Sequence, residues 1–204
     1  MTDLDRWVMQ VRTRRGAVVC IRPLRPDDRE REIAFINSLS ERSRYFRLFT
    51  PLKVLPRHLI DRLMDIDYLH RMAFVATTLK DGVEQFVGVA RYGEADQPGT
   101  AELGVSVADT WQRCGIASLL MQQLIRYARE HDINRMTGLV LPDNLAMIAL
   151  ARRLAFTVRY DPAQHLFLMS RDLCAPETSQ IAPYQPLQDQ TAILVSRSSQ
   201  QAAE

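Results

Sequence analysis

The sequence predicts an α/β (α+β) fold in which a mixed, mostly antiparallel sheet of about six to seven strands is flanked by helices. The chain has 204 residues, of which 47% are hydrophobic, and this is enough for one domain with its own core. Strand-like segments alternate with helix-like ones along most of the chain. At Gly115 the apolar residues change from strand-like spacing to helical spacing, which marks the start of a long amphipathic helix.

The first half begins with residues 1–16, which are polar and rich in Arg, and we expect a flexible lead-in there. Residues 17–24 predict the first strand. A helix then follows to about residue 39, capped by Asp27 or Asp28. Residues 40–49 indicate a second short helix or an ordered loop, and Pro56 is typical of the first turn of a further helix.

The second half predicts six strands and two helices within a domain that spans residues 17–174. A Lys80-Asp81-Gly82 turn joins the first two of these strands as a hairpin. One helix runs from Gly115 to about residue 130 with an apolar stripe, and another begins at Asn144. The predicted strands are 73–79, 85–92, 100–107, 136–141, 156–160 and 165–170. Residues 175–204 are rich in Gln, Ser and Pro, which predicts a flexible tail.

Composition limits the classes of partner. The 26 basic and 24 acidic residues leave a net charge of +2, which is too balanced to indicate nucleic-acid binding. No apolar run approaches the roughly 18–20 residues of a membrane helix, and the first residues lack a signal-peptide pattern. Cys20, Cys114 and Cys174 are far apart, which disfavours a disulfide framework or a metal site. We therefore expect a cytoplasmic protein without a metal or a membrane partner, as a monomer or homodimer.

The segment after the strand at 100–107 has the features of an anion-binding corner. A loop leads into a helix, and the first turn of a helix presents unpaired N–H groups and a partial positive charge. Gly115 permits close approach of an anion, Ala117 is too small to obstruct it, and Arg113 adds a positive charge. The segment is neither a P-loop nor a Rossmann fingerprint. The alternative is an ordinary strand–loop–helix connection.

Two separated motifs resemble those of the GNAT acetyltransferases. Gln112-Arg113-Cys114-Gly115-Ile116-Ala117 has the Gln-x-x-Gly-x-Ala spacing of motif A, and Asn144, Leu150 and Phe156 match a second block. Residues 21–28, 39–49 and 72–76 resemble the catalytic domain of Pat-type bacterial protein lysine acetyltransferases. The resemblance covers about residues 17–171. It implies the GNAT fold, with the sheet splayed at the acyl-CoA site.

The resemblance also implies an acetyl-CoA site. The pyrophosphate would be held by the segment Gln112, Arg113, Cys114, Gly115, Ile116, Ala117 and Ser118. The backbone of Val105, Ser106 and Val107 would lie along the pantetheine arm, and Asn144 completes the set of cofactor-binding candidates.

Glu102 matches the position of the general base in the related enzymes. Acyl transfer needs a free amine, so a base has to take a proton from the ammonium form. Glu102 lies between apolar residues, which predicts a partly desolvated carboxylate; the alternative is a Glu that faces solvent or pairs with an Arg. Alternation places Glu102, Gly104 and Ser106 on one face of the strand, and Gly104 indicates a bulge or a close approach.

The resemblance implies a protein lysine as acceptor, with a small amine as the nearest alternative. The position of the Tyr that protonates the departing CoA in many relatives is occupied by Ala151. Tyr127 and Tyr160 are weak substitutes that we expect to serve in packing. The missing Tyr and the unusual Arg113 and Cys114 also leave open a non-catalytic, acyl-CoA-binding regulatory module. A basic cluster at Arg42, Arg44 and Arg47 either faces an acidic substrate or is simply solvated.

Overall fold

A computed structural model describes residues 3–51 and 55–174. Its centre is an eight-stranded sheet with the order β1-β2-β3-β4-β5-β6-β8-β7. Neighbouring strands are antiparallel except for β5 and β6, which run parallel, so the predicted fold class is confirmed. The strands are β1 (Met9–Arg12), β2 (Val18–Pro23), β3 (Arg71–Lys80), β4 (Val83–Glu94), β5 (Thr100–Val107), β6 (Arg135–Val140), β7 (Thr157–Asp161) and β8 (Leu166–Asp172).

Five α-helices flank the sheet in the described part of the chain. They are α1 (Arg29–Ser38), α2 (Glu41–Leu48), α3 (Arg57–Met64), α4 (Ile116–Arg129) and α5 (Leu145–Arg153). The apolar stripe predicted for α4 is buried against β3, β4 and β5. On the other face of the sheet, α1 and α3 cover a second core that includes Phe35, Ile60 and Val89.

The N-terminal segment differs from the expected lead-in. Residues 3–7 form a 3-10 helix, and β1 adds an eighth strand to the sheet. Trp7 and Val11 are both 0% exposed, and the Trp7 ring lies 4.8 Å from that of Tyr127. The apolar residues Trp7, Met9 and Val11 recur every second position, and this strand-like period is the signal that the Arg-rich composition obscured.

The predicted cap of α1 also differs. Asp28 precedes α1, but its side chain makes no cap hydrogen bond to that helix. It accepts instead from the backbone N–H of Arg25 at 2.8 Å and from the buried Arg22 guanidinium at 2.6 and 2.9 Å. A buried cation competes for a carboxylate more strongly than a backbone N–H does, so Asp28 serves the sheet rather than the helix.

No helix among the described residues is both long enough and apolar enough to span a membrane. The predicted tail at residues 175–204 lies outside the described residues.

Candidate active site

The sheet parts between β5 and β6. Parallel pairing covers only Thr100 to Glu102 of β5, opposite Arg135 to Thr137 of β6. Gly138 marks the last close approach, because a Cβ atom there would lie 3.2 Å from the Leu103 carbonyl oxygen. From this point β6 pairs only with β8, and the β6 side of β5 is left open.

The open edge of β5 presents the backbone of alternate residues. The Ala108 N–H donates to the Val87 carbonyl of β4 at 3.0 Å, so the even-numbered residues of β5 direct their backbone groups to β4. The odd-numbered residues therefore face the gap. Val105 presents both its N–H and its C=O there, whereas the Val107 carbonyl already accepts from Gln112 Nε2 at 3.2 Å. Ser106 is directed to β4, so of the three predicted residues Val105 is the best placed to pair with an extended ligand.

The predicted corner lies at the end of this gap. Gly115 precedes α4 with φ of +94°, in the left-handed region that favours glycine, and the first bond of the helix runs from Leu119 N–H to the Gly115 carbonyl. The N–H groups of Ile116, Ala117 and Ser118 donate to no acceptor among the described residues. An unbonded first turn beside an open strand edge is suited to a phosphate group attached to an extended chain.

The side chains of the corner mostly support its shape. Gln112 Nε2 bonds Ser43 Oγ at 3.1 Å as well as the Val107 carbonyl, and Cys114 is 2% exposed with Sγ 3.5 Å from the Gln112 carbonyl oxygen. Arg113 is exposed and has φ of +60°, in the left-handed region that favours glycine. The arrangement leaves backbone amides, rather than side chains, as the anion donors.

Arg14 is a corner residue that the sequence analysis missed. Its N–H donates to the Cys114 carbonyl at 3.0 Å, and its side chain runs 3.7–3.9 Å from the position of a Gly115 Cβ atom. It belongs to the turn between β1 and β2, and the pair Arg14-Arg15 in this turn was the only available signal.

Asn144 of the second motif and Ala151, which occupies the position of the missing Tyr, both have structural roles. Asn144 caps α5, with Oδ1 accepting from the Met147 N–H at 3.2 Å. Ala151 is 0% exposed, so the position expected to hold a Tyr lies inside the core. The two tyrosines considered as substitutes for the missing Tyr do not replace it at this position. Tyr127 O–H donates to the Tyr68 carbonyl at 2.6 Å within an aromatic cluster, and Tyr160 lies on β7, which is separated from β5 by the two strands β6 and β8.

Glu102 lies on the face of β5 opposite the α4 core and is exposed. The expected desolvation by its neighbours is wrong, because Ala101 and Leu103 direct their side chains to the other face. Instead, Glu102 lies between two glycines, Gly93 across the strand pair and Gly104 along the strand. A Cβ atom at Gly93 would meet only Arg71, at 3.9 Å. The Glu102 carboxylate is therefore accessible from solvent, with open space on the side of Gly93.

Gly104 marks a close approach and not a bulge. The pairing of β4 with β5 runs from Ala101 to Val107 without a register shift. A Cβ atom at Gly104 would lie 2.9 Å from Cζ of Arg47, so the guanidinium rests on the bare backbone of the strand. Burial and the neighbouring Arg91 lower the pKa of Arg47 to about 10, against the opposing influence of Glu32 and Glu102. Of the three arginines in the basic cluster on α2, Arg47 is thus the one that reaches the exposed face of β5 at Glu102 and Gly104, which we call the groove.

Asp109 joins α2 to the corner. Its carboxylate accepts from the Ser40 N–H at 2.9 Å and from the hydroxyls of Ser40 and Ser43, both at 2.8 Å. Burial opposes ionisation here, but these hydrogen bonds outweigh it and hold the pKa of Asp109 below its ordinary value. These hydrogen bonds therefore fix the start of α2 to the loop that leads to Gln112, and Arg47 lies in the last turn of the same helix.

Among the described residues, no group of three or more His, Cys, Asp or Glu side chains is placed to hold a metal ion. Cys20, Cys114 and Cys174 are free thiols.

Comparison with known proteins agrees with this arrangement. Residues 38–156 match the model of the acetyltransferase (GNAT) family. The chain is 41% identical over 158 residues to Acetyltransferase PA5475 of Pseudomonas aeruginosa, covering 78% of this chain and 84% of that protein. It is 33% identical over 155 residues to Acetyltransferase Pat of Mycolicibacterium smegmatis, covering 75% of this chain but 45% of that longer protein.

A solved structure is similar over nearly its whole length. The crystal structure of the GNAT domain of PAT from S. lividans superposes with a TM-score of 0.74 at 28% identity, covering 82% of this chain and 97% of that one. A cAMP-binding acyltransferase from Mycobacterium smegmatis gives a TM-score of 0.59 at 26% identity, and this chain covers 52% of it. The family match spans more than half of the chain and agrees with both the fold and the motifs. The chain therefore belongs to the GNAT family and is an N-acetyltransferase.

Proposed function

We propose that the protein transfers an acetyl group directly from acetyl-CoA to an amine, and that the amine is a lysine side chain of a protein. The observation that carries this proposal is the parting of β5 from β6 directly beside the unbonded first turn of α4. An extended thioester with a pyrophosphate at one end fits the two features together, since one supplies a strand edge and the other an anion site.

The proposed cofactor contacts follow from the groups left free. The amides of Ile116, Ala117 and Ser118 bind the pyrophosphate, with Gly115 allowing its approach. Arg14 and Arg113 supply positive charge at the rim of the corner. The backbone of Val105 pairs with the pantetheine arm along the open edge of β5. Gln112 and Asn144 hold the loop and α5 in place through their hydrogen bonds.

Glu102 is the proposed general base. It takes a proton from the acceptor ammonium group, directly or through a water molecule, and the freed lone pair attacks the thioester carbonyl carbon. The carbon–sulfur bond then breaks, the amide forms, and CoA leaves as a thiolate that takes its proton from solvent. No residue is assigned as the acid because position 151 is a buried Ala.

The protein-lysine acceptor is supported by similarity and by the openness of the site. Two relatives are Pat enzymes by name, and this chain matches one of them over 45% of its length. Gly93, which lies opposite Glu102, leaves space beside the carboxylate, since a Cβ atom there would meet only Arg71 at 3.9 Å, and this space suits a chain segment that presents its lysine to Glu102. The proposal includes a cytoplasmic location, which fits three free thiols.

Calorimetric titration with acetyl-CoA tests the corner. In Gly115→Glu the new carboxylate stands at the anion site, and we expect the affinity for acetyl-CoA to fall at least about tenfold. Gly82→Glu is the matched control, because Gly82 has φ of +77° with nothing within 4 Å of a Cβ atom, so it imposes a similar backbone strain in the hairpin turn. Equal affinity in wild type and Gly115→Glu would contradict the assigned corner.

The acceptor is tested with labelled acetyl-CoA. Incorporation of label into lysine residues of folded proteins supports the proposed acceptor, whereas label found only in small amines would contradict it.

A further inference from the structure

Four charged side chains, including Glu102, lie close together on this side of the sheet, and two of them form a buried ion pair. Arg91 bonds the carboxylate of Glu32 and the carbonyl of Leu63, and the two charged side chains are 11% and 2% exposed. The pair is electrically neutral as a whole, although Glu32 Oε2 is buried without a hydrogen-bond partner among the described residues.

The remaining two, Arg47 and Glu102, have no partner among the described residues. Neither makes a hydrogen bond or an ion pair with any residue that the structure describes, although the charge of Glu102 acts on Arg47. The Arg47 guanidinium lies over Gly104, which is two positions from Glu102 on the same face of β5. Two positions along a strand correspond to about 7 Å between Cα atoms. The cation and the anion therefore lie near each other without forming an ion pair.

The position of Arg47 is imposed by its surroundings. The absence of a side chain at Gly104 gives the guanidinium its place, and α2 is held at its start by the hydrogen bonds of Asp109. A guanidinium that is partly withdrawn from water without an acceptor loses solvation that a ligand oxygen can restore. A carboxylate is the group that matches its planar fork of donors.

We propose that Arg47 is a carboxylate-binding subsite of the acceptor groove, and that the preferred acceptor carries a carboxylate about 7 Å from the amine that meets Glu102. This rests on the proposed function, which places the amine at Glu102. The carboxylate has two sources, an acidic residue next to the acceptor lysine in a protein or the carboxylate of a small amino acid.

Two matched pairs of ligands test the proposal by binding. The first pair is a lysine peptide with one neighbouring Glu and the same peptide with Gln. The second pair is Nα-acetyl-lysine and its uncharged amide. Affinities are measured by NMR titration of the protein saturated with CoA, for wild type, Arg47→Gln and Arg42→Gln. Arg42 is the matched control because it is exposed on the same helix, where it lies over the Phe46 ring.

We expect wild type to bind the charged member of at least one pair about tenfold or more tightly than the uncharged member. The preference disappears in Arg47→Gln and is retained in Arg42→Gln. The pair that shows the preference identifies the source of the carboxylate. Gly104→Ala, which moves Arg47 without removing it, gives the same test should Arg47→Gln not fold.

Equal binding of charged and uncharged ligands by wild type would overturn the proposal, and so would an undiminished preference in Arg47→Gln. Acetyl transfer to the same four ligands separates this result from the proposed function. Binding through Arg47 without transfer to any amine would contradict the proposed function alone, whereas transfer without a preference for the carboxylate would contradict the subsite alone.

Discussion

Gly104→Ala perturbs Arg47 without changing any charge. The added Cβ atom would lie 2.9 Å from Cζ and Nη1 of Arg47 and 3.1 Å from Nη2. Because favourable contacts lie at about 3.5–4.0 Å, the guanidinium has to withdraw by about 0.6–1 Å from the new Cβ atom. The backbone at Gly104 does not have a positive φ, and the group that moves is the end of a flexible side chain. The free energy of unfolding should therefore change by less than about 0.5 kcal/mol.

The same substitution should weaken recognition of a carboxylate. A charge-assisted hydrogen bond needs a donor–acceptor distance of about 2.7–2.9 Å, and a shift approaching 1 Å removes most of its value, about 1 kcal/mol or more. We expect the ratio of kcat/KM for a charged over an uncharged acceptor to fall about fivefold or more. An unchanged ratio together with a measurable movement of Arg47 would refute the reasoning. A large loss of stability would refute it differently, since Arg47 would then be a packed structural residue.

Two further predictions concern other parts of the molecule. In Gly88→Ala, the new Cβ would lie 2.9 Å from Ile116 and 3.0 Å from Leu120, both in the core, so urea denaturation should show a loss of about 1–3 kcal/mol. Asp28→Asn removes one of the two carboxylates that bind buried Arg22, the other being Glu84, and should cost about 1–3 kcal/mol at pH 7. Burial would raise the pKa of Asp28, but hydrogen bonds from Arg22 hold it below its ordinary value, so this stability is present above about pH 4 and is lost as the pH falls further.

Local patterns were sufficient to predict most elements of the fold. The strand at 100–107 and the helix after Gly115 appear where the spacing of apolar residues indicates them, since both signals depend on the burial of one face. The first strand at Met9–Arg12 was missed because a four-residue strand gives a short alternation that a basic composition conceals.

The site was harder to predict because its geometry depends on contacts between distant segments. Gly104 signalled a close approach, but nothing in the sequence identified Arg47, 57 positions earlier, as the group that approaches it. The exposure of Glu102 likewise depends on which face of β5 it occupies and on Gly93 of the neighbouring strand. The prediction that Asp27 or Asp28 caps α1 could not anticipate the role of Asp28, because the local sequence contains no information about the buried cation that binds it.

The most direct test of the central claim is the rate of acetyl transfer by Glu102→Gln at saturating acetyl-CoA. Because Glu102 is exposed and makes no hydrogen bond or ion pair with the described residues, the variant should fold and bind acetyl-CoA as wild type does. Loss of a general base predicts a fall in kcat of about 100-fold or more. A kcat within twofold of wild type, with acetyl-CoA affinity unchanged, would contradict the assignment of Glu102 as the base.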